Sequence, residues 1–263
     1  MSDRPSLAAV LDDLRAEHED LRALVARTDL DLPVPAEPWD VRDTVSHLAG
    51  FDEEAAVAAA RPEEFLAGLE EVVRDIDGFM QRKLDARRGL SRQELEADWR
   101  RCSDACLDAV AALAPGTKVP WYGPPMSPVS FATARLMEYW AHGQDVADAA
   151  GVERVPTDRL RHVCHLGVRT RGFSYAVRGL EPPPSEVRVE LTAPSGATWT
   201  WGPEQAADRV TGSAHDFCLL VTQRRHRADT ALVAEGAAAD EWLGVAQCFA
   251  GPPGPGRAPG GAR

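Results

Sequence analysis

The hydrophobic residues of this 263-residue chain change their spacing partway along, and no other feature limits its fold as strongly. Up to about position 150 apolar residues recur every three or four places, the period of a helix with one buried face. Beyond about position 185 they alternate, the period of a half-buried strand. Leu7, Val10, Leu11, Leu14, Leu21, Leu24 and Val25 mark a first helix. A second begins at Asp40, a side chain suited to capping a helix, with Asp43 in the capping-box position and Val41, Thr44, Val45 and Leu48 as its stripe. A third helical region is expected over 63–87 and a fourth over 91–113, opened by a capping box of Ser91 and Glu94. After the Pro- and Gly-rich stretch "APGTKVPWYGPPMSPVS", a further helix is expected through "RLMEYWAHGQDVAD", ending at Gly151.

A helix over 158–178 is expected next, followed by three strands, "SEVRVELTA", "SGATWTWG" and "TALVAEG", interleaved with helices in "GSAHDFCLLVTQRRH" and "AADEWLGVAQCFA". The pattern is that of an α+β protein with a helical bundle over 1–152, an α/β domain with a connecting helix over 153–250, and a disordered tail over 251–263, "GPPGPGRAPGGAR". Trp199 and Trp201 alternate and so share one side of a strand, where they should pack on the sheet.

Charge and cysteine usage narrow the function. With 29 basic and 41 acidic residues the formal charge is −12, which disfavours nucleic acid and anionic membranes as partners and leaves a small molecule or a protein as the expected one, with a small-molecule substrate favoured. No apolar run is long enough to span a bilayer and the N-terminus lacks signal-peptide organisation, so a soluble cytoplasmic protein is expected; the sequence leaves monomer and homodimer open. Five cysteines without CxxC spacing argue against a disulfide framework and against a thiolate zinc cluster.

The chemistry-bearing residues sit in the bundle. Glu138 and His142, four apart, share a helix face and can converge on one ion; the same spacing also occurs in ordinary surface pairs. Leu136, Tyr139, Trp140, Val146 and Ala147 cover the rest of that helix with apolar surface, so its polar groups need partners inside the protein. His47, on a face with Thr44 and Leu48, is the best source of a third ligand, and its alternative is a hydrogen-bonded core histidine. Asp145, three residues after His142, stands where it could orient a ligand histidine, whereas Asp52, five residues after His47, has less favourable geometry for the site. Trp121, Tyr122 and Met126, held between prolines, are suited to a pocket wall and equally to an apolar plug for the bundle. Arg224, Arg225, His226 and Arg227 lie at a helix end, where cations complement the dipole. His162 and His165 share a helix face without a carboxylate and read as interface residues.

"PWDVRDTVSHLAG" followed about 90 residues later by "ARLMEYWAHGQDVADAAG" resembles the metal-binding four-helix domain of mycothiol-dependent maleylpyruvate isomerases, within the DinB-like superfamily of thiol-dependent enzymes. The matching positions are Trp39, Val41, Arg42, Asp43 and His47, then Glu138 and His142. The resemblance implies a divalent ion, most often zinc, on His47, Glu138 and His142, with a position open for substrate or thiol. It also implies a smaller, sterol-carrier-like α/β domain after the bundle, mycothiol as the low-molecular-weight thiol, and an arginine of that domain, here Arg224, as the binder of a substrate carboxylate. Isomerase or S-transferase activity is the expectation that follows. A metal-dependent hydrolase, lyase or cyclising enzyme without a thiol is the second, supported by a "WYGPPM" loop bulkier than a small diacid requires, and a non-catalytic small-molecule binding protein is the third.

Overall fold

The computed structural model describes residues 5–36, 38–254 and 256–260, which form two compact units, Met1–Val152 and Glu153–Arg263. Glu37, Pro255 and residues 1–4 and 261–263 lie outside the described residues, so part of the expected disordered tail is among them. The described part of that tail is mostly exposed, and Gly260 donates its backbone N–H to the Asp229 carboxylate at 2.8 Å.

The first unit is built of α1 (Leu7–Val25), α2 (Val41–Ala60), α3 (Pro62–Arg74), α4 (Ile76–Arg88), α5 (Arg92–Ala111) and α6 (Pro128–Ala150). Helices α1, α2, α5 and α6 pack as a bundle, and α3 and α4 lie against α2. Local sequence sets the helix ends. The Asp40 carboxylate accepts from the Asp43 N–H at 2.7 Å, Ser91 and Glu94 complete their reciprocal capping box, and Gly151 closes α6 in the left-handed conformation at φ 64°.

The expected single helical region at 63–87 is two helices. Asp75 leaves helical geometry at φ −143°, and its carboxylate caps the next helix by accepting from the Gly78 N–H at 3.0 Å. An aspartate that can bond to the backbone two or three residues on competes with helix continuation, and here it prevails over an unbroken apolar stripe.

The second unit holds α7 (Leu160–Arg169), α8 (Arg171–Ala176), α9 (Ala214–Val221) and α10 (Ala237–Val245) with strands β1 (Val187–Thr192), β2 (Thr198–Trp201), β3 (Asp208–Ser213) and β4 (Val233–Glu235). The strands form one sheet in the order β2-β1-β3-β4, antiparallel except for the parallel central pair β1–β3. Val187, Val189 and Leu191 point inward from β1, and Trp199 and Trp201 stand opposite Leu191 and Val189 on the same side. That face is covered in part by α7, where His165 Nδ1 accepts from Trp201 Nε1 at 3.3 Å and the Arg161 guanidinium lies 5.9 Å from the Trp199 ring.

Three sequence expectations change in this unit. The helix expected over 158–178 breaks at Thr170 into α7 and α8. Strand β3 occupies "DRVTGS", whose two charged residues and glycine hide the alternation, so the expected helix from Gly212 starts only at Ala214. The last helix, expected over 238–250, ends at Val245.

At Gly167, α7 packs directly against side chains of α9. A Cβ there would stand 2.9 Å from Val221 Cγ2 and 3.0 Å from Phe217 Cε1, inside van der Waals contact with two buried side chains. Gly167→Ala is therefore expected to destabilise the protein by about 1–2 kcal/mol, overpacking outweighing the helix-propensity gain of about 1 kcal/mol. Denaturant unfolding of the variant checks this, and equal or greater stability would mean that α7 and α9 separate at little cost.

Candidate metal centre

Helix α6 is buried along most of its length although it carries Arg135, Glu138, Tyr139, His142, Gln144 and Asp145. Each polar group in such a setting must be met by another. At the C-terminal part of this stripe, His142 Nε2 lies 3.5 Å from Glu138 Oε2, the contact that an i,i+4 pair permits. The opposite nitrogen, Nδ1, lies 3.4 Å from Asp145 Oδ2. From α2, His47 brings its ring to 4.8 Å from that of His142. One ligand-type atom from each of His47, Glu138 and His142 falls within 4.8 Å of the others.

The donor set suits a small divalent cation. Three ligands of a tetrahedral zinc ion, with bonds of about 2.0–2.1 Å, stand about 3.3 Å apart, so the Glu138–His142 separation already has the required size. Two imidazoles and one carboxylate leave one tetrahedral position open, and Asp145 on the far nitrogen of His142 is the partner that fixes ring orientation in such centres. Burial opposes ionisation of Glu138, but His142, Arg135 and His47 together overcome it and bring its carboxyl down to about 2.

Aromatic rings surround the imidazoles. Trp39 lies 4.8 Å from His47 and 5.9 Å from His142, and Phe51, one turn beyond His47, lies 4.7 Å from it. Trp121 and Tyr122 join this cluster through Phe51, at 6.4 and 6.0 Å. Met126 secures their loop by exchanging two backbone hydrogen bonds with Val119, at 2.8 and 2.9 Å. Among the sequence-derived candidates, His47, Glu138 and His142 are thus brought together, and Trp121 and Tyr122 stand one ring away. Arg224 belongs to the second unit, where its side chain donates to the Thr222 carbonyl at 2.7 Å.

Sequence reasoning missed a second buried cluster on the same helices. Asp52, set aside as a site residue, is 1% exposed; its Oδ1 accepts from Arg135 Nε at 3.1 Å and Nη2 at 2.8 Å, and its Oδ2 from the Tyr139 hydroxyl. Trp99 Nε1 of α5 donates to the same hydroxyl at 2.7 Å, and the His18 ring of α1 lies 3.9 Å from the Tyr139 ring. The one sequence signal was Arg135 itself, a cation in a helix with almost no solvent-facing side.

Residues 11–147 match the family described as "Mycothiol maleylpyruvate isomerase N-terminal domain", slightly over half of the chain. The chain belongs to this family. Two relatives from Mycobacterium tuberculosis, strains CDC 1551 / Oshkosh and ATCC 25618 / H37Rv, each described as an uncharacterized protein, are 47% identical over 248 residues, 93% of this chain and 96% of the relative. Among solved structures, the mycothiol-dependent maleylpyruvate isomerase and a histidine-to-alanine variant of it align with TM-scores of 0.54 and 0.59. Each covers 89% of this chain and 96% of that one at 14% identity, a likeness of fold, here the DinB-like bundle followed by an α/β unit. Residues 183–235 also match a family described as "Wyosine base formation".

His18 gives the family bundle a distinct response to acid. It is 1% exposed, and neither ring nitrogen has a hydrogen-bond partner among the described residues. Burial, with Arg22 and Arg135 adding to it, holds its pKa well below the ordinary 6.5. Below pH 6.5 the unfolded chain therefore binds a proton that the folded protein refuses, and stability falls as pH falls, by at most about 1.4 kcal/mol per pH unit from this one group. His18→Phe, which keeps a ring against Tyr139, should lose less stability than wild type between pH 6.5 and 4.5; parallel unfolding curves across that range would contradict the assignment.

Proposed function

We propose that this chain is a metal-dependent enzyme of thiol chemistry, an isomerase or S-transferase acting on an activated small-molecule alkene. The observation that supports the reading is that ligand-type atoms of His47, Glu138 and His142, from two helices, lie within 4.8 Å of one another, a donor set that would leave a fourth tetrahedral position for water or thiol. A divalent ion held there, zinc by its donor set, would lower the pKa of a bound thiol so that thiolate is available near neutral pH.

The chain's own residues have defined parts in this reading. Asp145, 3.4 Å from His142 Nδ1, would orient the ring that points Nε2 toward Glu138. Trp39 and Phe51 shield the imidazoles from water, and Trp121, Tyr122 and Met126 form the wall against which thiol or substrate lies. Arg224 is kept as the binder of a substrate carboxylate on the family resemblance alone. In an isomerisation the external thiolate adds to the alkene, the new single bond rotates, and elimination returns the thiol unchanged; in a transfer the thioether remains. Mycothiol is the proposed thiol because the family and the similar solved enzyme carry its name.

The five cysteines support an external nucleophile. All are buried, and burial pushes the thiols of Cys102, Cys106 and Cys218 up, away from the thiolate that nucleophilic attack requires. Nucleic acid is not the proposed substrate: residues 183–235, which match the wyosine family, carry five arginines and no lysine against seven carboxylates. No helix among the described residues is long and apolar enough to cross a membrane. We place the protein in the cytoplasm, where low-molecular-weight thiols are reduced.

A second reading keeps the metal without the thiol, as a hydrolase or lyase. It is favoured by the aromatic cluster of Phe51, Phe65, Phe79, Trp121 and Tyr122, an apolar surround larger than a short diacid needs. Purified protein is expected to hold about one divalent ion per chain and to isomerise maleylpyruvate only when mycothiol is added, while His47→Ala and His142→Ala lose ion affinity on the order of 100-fold or more. Elemental analysis and a coupled absorbance assay check this. A full complement of metal with no thiol-dependent turnover would favour the second reading, and absence of metal affinity would leave a binding protein.

A further inference from the structure

Two polar clusters share helices α2 and α6. One is His47 with Glu138 and His142; the other is Asp52 with Arg135 and Tyr139. On α2 the two members are five residues apart, about 7.5 Å along the axis, and on α6 Arg135 and Glu138 are three apart, about 4.5 Å. A slide of α2 against α6 that spoiled one cluster would therefore spoil the other.

The second cluster is built for position rather than for packing. Asp52, Arg135, Tyr139, Trp99 and His18 are 1%, 4%, 0%, 1% and 1% exposed. Burying an ion pair costs solvation that apolar residues of similar size would not lose, so stability alone is a poor reason to keep one. Its geometry is specific: both carboxylate oxygens are engaged, one by two nitrogens of a planar guanidinium and the other by a hydroxyl that itself accepts from Trp99. Such a set is satisfied at one register of α2 on α6 and at no neighbouring one. Every helix of the bundle contributes to it, α1 through His18 and α5 through Trp99.

We propose that Asp52, Arg135 and Tyr139 are positioning residues that lock α2 against α6 in the one register that brings His47 to Glu138 and His142. The inference rests on the metal reading given above, and it assigns to these residues no contact with ion or substrate. Asp52 and Tyr139 act through helix placement, while Arg135 in addition lies close enough to Glu138 to favour its charge, so coordination geometry rather than affinity alone reports the placement.

The test is cobalt(II) titration of the full-length, metal-stripped protein, read by affinity and by the visible d–d absorption, which reports coordination geometry. The triple variant Asp52→Leu, Arg135→Met, Tyr139→Phe replaces the cluster with apolar side chains and removes both partners of the Asp52–Arg135 ion pair together. It is expected to remain helical by circular dichroism, to bind cobalt at least 10-fold more weakly than wild type, and to show an altered band shape. Tyr139→Phe alone, which keeps the ion pair, is expected to lose about 3- to 10-fold and serves if the triple variant does not fold. Wild-type affinity and band shape in either folded variant would overturn the inference. A wild type that binds no cobalt would instead overturn the metal reading itself, so the two failures are told apart.

Discussion

The constraint on which the first unit depends is the burial of charge on α6. Arg135, Glu138, His142 and Asp145 lie on a helix that is covered on nearly all sides, and a charge removed from water has to be met by a counter-charge or a hydrogen bond. Asp52 meets Arg135, His142 stands between Glu138 and Asp145, and His47 approaches from α2. Apolar contacts hold the four helices together, as they would in any bundle, but they tolerate small shifts along a helix axis. The polar contacts do not, and they choose among packings that apolar burial alone would leave nearly equal.

The same constraint explains what the sequence made readable. Helix ends were legible because their causes are local: Asp40, Ser91 and Gly151 act within four residues of themselves. Asp75 was equally local, yet an apolar stripe running through it concealed the break, and β3 was hidden because "DRVTGS" shows its alternation only when paired between β1 and β4. In the site, Glu138 and His142 could be paired from spacing. His47 could be joined to them only by resemblance to a family, since no spacing rule connects residues 91 or 95 positions apart. The Asp52–Arg135 pair, 83 residues apart in sequence, carried no such motif and came from the structure alone.

The helical positions on α2 show why Asp52 and His47 have separate tasks. Five residues turn a helix through about 500°, leaving the two side chains about 140° apart around the axis. His47 is directed toward the rings of Trp39, Phe51 and His142, while Asp52 is directed into the bundle interior toward Arg135 and Tyr139. On the proposed reading one helix would offer a ligand on one side and its alignment on the other, separating the groups that would touch an ion from those that would set its geometry.

The state of the chain's own thiols bears on which partner an ion would have. A cysteine acting as nucleophile needs an exposed, electropositive setting that favours thiolate, and here burial works in the opposite direction. Cys106, inside the bundle, is pushed up by burial and further by the Asp52 carboxylate. Cys164 and Cys218 lie 3.4 Å apart, sulfur to sulfur, in the interior of the second unit, and the proximity raises Cys218 beyond the effect of burial. A nucleophilic sulfur in the proposed chemistry would therefore come from outside the chain, and an ion held by His47, Glu138 and His142 would have a fourth position at which to accept it.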